Sequence, residues 1–246
     1  IINNHTKSYL ITIGILIICA IPLLLDLGAK PIELWDESRN ANNAIEMYQN
    51  HNFIVRHYNG NPDMWEVKPP MLIWFQVLSF KLFGISEFAL RLPIAVSILY
   101  LLAYLMLFLK EQTNSLYPGI ITSLIFITSK GVIDRHICRT CDHDGVLILL
   151  TTLTFLIFFL YCVSENRKHL ILTIVFLTCS VLTKSIMGFF VLPGMFMYAI
   201  YKRKIIKILY NPWFYLSSLG FIIIIATYYI LREKMSPGYL ETVWRE

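Results

Sequence analysis

The residues able to do chemistry are concentrated in one stretch. Between Trp35 and Pro70 stand Asp36, Glu37, Arg39, Glu46, Arg56, Asp63, Glu66 and Lys68, and the stretch closes on Lys68-Pro69-Pro70. A second polar loop, 130–144, adds Arg135, Arg139, Asp142 and Asp144, while Arg91 and Lys184 are isolated charges beside apolar runs. Carboxylates mixed with cations suit transfer of a group away from a phosphate. The anionic leaving group needs Lys or Arg, with or without a divalent metal ion. A hydroxyl acceptor needs a carboxylate base within reach. Each residue also has a plain structural reading. Asp36 and Glu37 would favour the N-terminus of a helix beginning near Ser38. Lys68 would snorkel at an interface, Arg91 would anchor a span, and Lys184 would mark a bend. His136, Cys138, Cys141 and His143 are zinc-ligand types, crowded into eight residues. The two cysteines read as unpaired thiols, with a local disulfide as the alternative.

The elements that must position these groups are apolar. The 246 residues are 57% hydrophobic and only 15% charged, where soluble domains carry about a quarter charged residues. Mean hydropathy is +0.61. The composition is that of an all-α, polytopic membrane protein. The longest basic run is Lys202-Arg203-Lys204, which suits a cytosolic anchor near anionic lipid rather than nucleic acid. Cys19, Cys162 and Cys179 fall in apolar runs and read as small hydrophobes.

Ser8–Leu25 is an uncharged run long enough for a first span. It lacks a signal-peptide cleavage pattern and is expected to stay in the membrane. Pro69–Phe80 has 12 residues, about 18 Å of helix, short for a core of about 30 Å. It reads as an interfacial helix, with a short tilted span as the alternative. Spans follow at Leu92–Leu109, Tyr117–Ser129 and Gly145–Val163. Leu170–Tyr201 would run about 48 Å as one helix, so it is expected to fold back as two spans with the bend at Lys184-Ser185. Trp213–Leu231 completes seven spans.

Seven spans put the connectors 110–116, 164–169 and 202–212 on one side. Their clustered Lys and Arg favour the cytosol for that side. Asp36, Glu37, Glu66, Lys68, Arg91, Arg139, Asp144 and Lys184 then fall on the outer side. A transporter or flippase would more readily place ionisable groups at the bilayer midplane, and here the span interiors are nearly uncharged. Chemistry at the outer surface is the expectation, with a transporter, a flippase or a non-catalytic subunit as the alternatives.

Four blocks then resemble the GT-C glycosyltransferases of the protein O-mannosyltransferase and aminoarabinose-transferase group. They are Trp35-Asp36-Glu37-Ser38-Arg39 with Ala44 and Glu46-Met47; Tyr58-Asn59-Gly60; Lys68-Pro69-Pro70-Met71; and Leu82-Phe83-Gly84-Ile85-Ser86-Glu87 leading to Arg91-Leu92-Pro93. Arg139 and Asp144, Leu182-Thr183-Lys184-Ser185 and Pro237-Gly238-Tyr239 extend the likeness. The resemblance implies a membrane enzyme that moves a sugar from a polyprenyl-phosphate carrier to a lipid, glycan or protein acceptor on the outer face of the cell (inner) membrane. Its first outer loop would hold two interfacial helices. By position it implies Asp36, Glu37 and Asp144 as catalytic carboxylates. Lys68, Arg91, Arg139 and Lys184 would meet the donor phosphate or substrate. A metal-ligand Glu immediately before Lys-Pro-Pro in some relatives is replaced by Val67, which leaves Glu66 as a weak metal candidate. Relatives run to about twice this length, so the chain reads as the N-terminal module of a longer enzyme.

Overall fold

The computed structural model describes residues 4–133 and 140–245. The elements are, in order, α1 (Asn4–Leu24), α2 (Asp36–Asn50), β1 (His57–Tyr58), β2 (Asn61–Pro62), α3 (Met71–Phe83), α4 (Glu87–Thr113), α5 (Tyr117–Thr128), α6 (Lys130–Ile133), α7 (Asp144–Ser164), α8 (Arg167–Lys184), a 3-10 segment (Ser185–Val191), α9 (Leu192–Tyr201), α10 (Ile205–Leu209), α11 (Pro212–Met235) and α12 (Tyr239–Arg245). The chain divides into two compact units, residues 1–41 with 75–149 and residues 42–74 with 150–246.

In the first unit α1, α4 and α5 pack together. Cys19, Leu23 and Leu27 meet Ala95, Ile98 and Leu102 of α4 and Ile127 of α5. Ser86 starts α4 by accepting from the Ala89 amide, which satisfies one of the orphan donors of the first turn. Pro93 lies inside α4, where it leaves the Ala89 carbonyl without its intrahelical donor.

In the second unit the polar segment is shaped by a hairpin. Asn59 and Gly60 hold φ of 52° and 75°, as the favoured two-residue turn demands, and His57 and Tyr58 pair with Pro62 and Asn61. The Glu46 carboxylate accepts from the Gly60 amide. Farther along, α8 ends at Lys184, and Ser185 adopts a φ of 43°. The following 3-10 segment turns back against α8. At Gly188 a Cβ would lie 2.6 Å from backbone atoms of Ser180 and Val181. Leu170, early in α8, shares one core with Met195 and Ala199 of α9 and with Phe158 and Tyr161. The reversal at Lys184-Ser185 expected from length is therefore present.

Four stretches are long and apolar enough to cross a membrane: Glu87–Thr113, Asp144–Ser164, Arg167–Tyr201 and Pro212–Met235. Ser8–Leu24, Met71–Phe83 and Tyr117–Thr128 are apolar but shorter. The apolar residues of α11 are largely uncovered, Ile222, Ile223 and Ile224 among them, as lipid solvation permits and water does not. The protein is integral to a membrane.

Gly188→Val should lower stability by about 3 kcal/mol, the upper end for overpacking, because the obstacle is backbone. At Gly14 an added Cβ would meet nothing within 4 Å, so Gly14→Ala should change stability little. Thermal midpoints of the two variants in one detergent check this.

Candidate active site

The first turn of α2 carries two adjacent carboxylates with opposite surroundings. Trp35 precedes them with a φ of 77° and is 86% exposed. Such strain in a bulky residue persists only where neighbouring contacts over-determine the backbone. Those contacts converge on Glu37, which is 3% exposed. Its Oε1 accepts from Arg91 Nε at 2.7 Å and from the Cys141 amide at 3.2 Å. Its Oε2 accepts from Arg91 Nη2 at 3.0 Å and from the Glu33 amide at 2.7 Å. An ionised carboxylate has about four acceptor sites, and all are used.

Arg91, 2% exposed, is equally committed. Nη1 donates to the carbonyls of Leu27 and Lys30 at 2.9 Å, and Nη2 donates to the carbonyl of Pro31 at 3.0 Å as well as to Glu37. A guanidinium has five N–H donors, and each has a protein acceptor. Arg91 has none left for a phosphate. The donors of Arg91 and the acceptor sites of Glu37, expected to meet phosphate and to act in catalysis, are thus all engaged by protein groups.

Cys141 is held at three points. Its amide donates to Glu37, its carbonyl accepts from Asn40 Nδ2 at 2.7 Å, and its Sγ accepts from Gln76 Nε2. Its thiol is free, complete burial pushes its pKa well up, and the local-disulfide reading, which needs Cys138, lies outside the described residues. Cys138, His136 and Arg139 lie outside the described residues, so the zinc reading and the role expected of Arg139 fall there too.

This scaffold frames a cavity of about 210 Å3 lined by Glu33, Leu34, Trp35, Asp36, Glu37, Thr140, Cys141 and Asp142. Asp36 is exposed at its mouth, and its carboxylate has no hydrogen bond or ion pair among the described residues. Asp142 is buried, with Oδ1 accepting from the His143 amide at 2.6 Å. Asp144, the expected second-loop acid, instead heads α7, half-buried and outside this lining.

The second unit holds Lys68 and Lys184. Lys68 Nζ lies 3.3 Å from Glu66 Oε2, half-buried. The Glu66 carboxylate is also capped by the Lys68 amide. No group of three His, Cys, Asp or Glu suited to a metal gathers among the described residues. Glu66, the weak metal candidate from sequence, is engaged by the side chain and the amide of Lys68. The backbone around Lys68 is fastened by buried side chains. Arg56 Nη2 donates to the Pro69 carbonyl at 2.6 Å, Tyr239 Oη to the Val67 carbonyl at 2.7 Å and Arg232 Nη2 to the Asp63 carbonyl at 2.9 Å. The Arg232 guanidinium also lies over the Tyr239 ring, 4.6 Å from its centroid. Lys184 is half-buried at the end of α8, beside the reversal.

Residues 67–230 match the family model for dolichyl-phosphate-mannose-protein mannosyltransferases. The chain belongs to that family. Lys68, Arg91, Asp144 and Lys184 fall within the part that matches this mannosyltransferase family, whereas Asp36 and Glu37 precede it and Arg232 follows it. Over 200 residues the chain is 28% identical to an undecaprenyl phosphate-alpha-4-amino-4-deoxy-L-arabinose arabinosyl transferase of Shewanella sediminis (strain HAW-EB3), covering 77% of this chain and 35% of that protein. It is 27% identical over 198 residues to an uncharacterised protein of Aquifex aeolicus (strain VF5), covering 77% of this chain and 39% of the relative. The fold is similar to the crystal structure of ArnT from Cupriavidus metallidurans bound to undecaprenyl phosphate. The TM-score is 0.77 at 18% identity, over 95% of this chain and 43% of that one. The apo state of the same protein gives 0.75 at 19% identity, over 96% and 44%. The chain thus spans less than half the length of these relatives.

Asp142, Asn40, Gln76, Arg56, Arg232 and Tyr239 escaped the sequence-based choice of site residues. For Arg232 a signal existed: a cation at the end of an apolar span is costly unless it has a partner. For Asn40 and Gln76 only the folded contacts reveal the role.

Removing either member of the Glu37–Arg91 pair leaves a buried charge alone, which costs about 3–5 kcal/mol. Glu37→Gln and Arg91→Gln should each lower the thermal midpoint, and the double variant should lose less than the sum. Tyr239→Phe leaves the Val67 carbonyl without its donor, a cost of about 1–3 kcal/mol. Amide hydrogen exchange across residues 64–68 should quicken in that variant while exchange in α4 stays as it was.

Proposed function

We propose that the protein is part of a glycosyltransferase that moves a sugar from a polyprenyl-phosphate donor to a hydroxyl-bearing acceptor at the outer face of a membrane. One observation carries this reading: at the start of α2 one carboxylate, Glu37, is consumed by structure while its neighbour, Asp36, is left open in a polar cavity. A helix N-terminus favours a negative charge, and a free carboxylate there can accept the proton of an incoming hydroxyl. The acceptor oxygen then bonds the anomeric carbon, the bond from that carbon to the phosphate oxygen breaks, and the phosphate leaves with the electron pair. In this proposal Asp142 orients the acceptor in the same cavity. Family membership and the undecaprenyl phosphate bound to the similar ArnT structure support the class of donor.

The proposal includes seven crossings: α1, α4, α5, α7, α8, the 3-10 segment with α9, and α11. It places α2 and α3 at the outer interface, and the basic connectors 164–169 and 202–212 in the cytosol. In this reading the chain is one module of a longer enzyme.

Membranes containing the protein, supplied with a radiolabelled polyprenyl-phosphate sugar, should lose transfer by roughly 100-fold or more in Asp36→Asn, the scale of a general base. The thermal midpoint should move little, because the Asp36 carboxylate makes no hydrogen bond or ion pair among the described residues and only its interaction with the helix N-terminus is lost. Full transfer in Asp36→Asn would remove Asp36 from the reaction.

A further inference from the structure

The second unit has a built end that the transfer reaction does not use. Asp63 lies by Arg232, near the C-terminal end of α11. At the opposite end the Arg167 guanidinium lies over the Trp213 ring, 5.1 Å from its centroid. The 24 residues of α11 separate these ends by about 36 Å, more than a hydrocarbon core. The Arg167 end therefore lies in the other leaflet from Lys68.

An apolar groove of about 370 Å3 opens at this end, within the range of small-ligand pockets. Its floor is Phe158 of α7, Met195 and Ala199 of α9 and Ile208 of α10, all buried. Its walls, Phe196 and Leu209, are 58% and 51% exposed, so the groove opens sideways. The connectors beside it, 164–169 and 202–211, carry Arg167, Lys168, Lys202, Arg203, Lys204 and Lys207 against a single acid, Glu165. Hydrogen bonds from Lys204 and Lys207 hold the Glu165 carboxyl down at about 2, so those two lysines are already engaged. Lys202 rests on the rings of Tyr198 and Tyr201, 5.8 and 5.3 Å from their centroids. Arg203, with a φ of 54°, is exposed, and its guanidinium makes no hydrogen bond or ion pair among the described residues.

We propose that this end binds one anionic phospholipid, with an acyl chain in the groove and the phosphate on Lys202 and Arg203. The charge argues for lipid over a covering polypeptide: a helix seated here would have to bring several acids, whereas a lipid phosphate brings the charge and the chain together. Basic pockets between spans on the cytosolic side take such headgroups by this combination.

Native mass spectrometry of the protein in mild detergent, with phosphatidylglycerol or phosphatidylcholine of the same chain length, tests the proposal. One phosphatidylglycerol should stay bound, with phosphatidylcholine retained at least tenfold less. The double variant Lys202→Gln/Arg203→Gln should retain phosphatidylglycerol roughly tenfold less at an unchanged thermal midpoint. Lys234→Gln, at the far end of α11, should behave as the parent. Soluble glycerol phosphate at the same concentration should not compete. Equal retention of both lipids, absence of both, undiminished binding by the double variant, or displacement by glycerol phosphate would each overturn the assignment.

Discussion

Irregular backbone at the end of a membrane bundle must find partners for its carbonyls, since neither helix nor sheet supplies them. Here arginine does so. Arg56, Arg91 and Arg232 are the three largest fully buried side chains among the described residues. Each donates to main-chain carbonyls of the segment between Leu27 and Pro69. At Arg91 a lysine could not do this: its three donors radiate from one atom, while the planar guanidinium spans several acceptors at once. The Glu37–Arg91 pair is the fullest case, with four acceptor contacts on one partner and five donor contacts on the other. A pair so deeply buried adds little net stability compared with an apolar substitute of the same size. What it gives is a single arrangement of the chain between Leu27 and Glu37, including the strained Trp35.

That arrangement gives two adjacent carboxylates opposite surroundings. Glu37 points into the scaffold and joins three stretches distant in sequence, at Glu33, Arg91 and Cys141. Asp36, one residue away on the helix, points elsewhere and meets solvent. Adjacent positions on a helix lie about 100° apart, given 3.6 residues per turn. One Asp-Glu step can therefore serve fold and chemistry with no compromise between them.

The apolar architecture was legible in the sequence because run length alone limits it. The 32 residues of Leu170–Tyr201 are too long for one crossing, and the reversal lies at Lys184-Ser185, where the only charge in the run sits. The helix start after Pro69-Pro70 was legible through proline's backbone preference. The roles of Glu37 and Arg91 were not. Sequence shows that both are ionisable and near span ends; it does not show that their hydrogen-bonding capacity is filled by carbonyls and amides some fifty to one hundred residues away. Asp142 was overshadowed by Asp144 for a similar reason, since two residues at a helix start change direction sharply. Arg139, within 134–139, stays an expectation from sequence.

The central claim is that Asp36 is chemically available and Glu37 is not. Labelling native protein with a water-soluble carbodiimide and an amine, followed by peptide mass spectrometry, reads this directly without donor or acceptor. Asp36 should be modified rapidly, and Glu37 should remain unmodified until the fold is disrupted by denaturant. Modification of Glu37 at a rate comparable with Asp36, or protection of Asp36 in the native protein, would contradict the account.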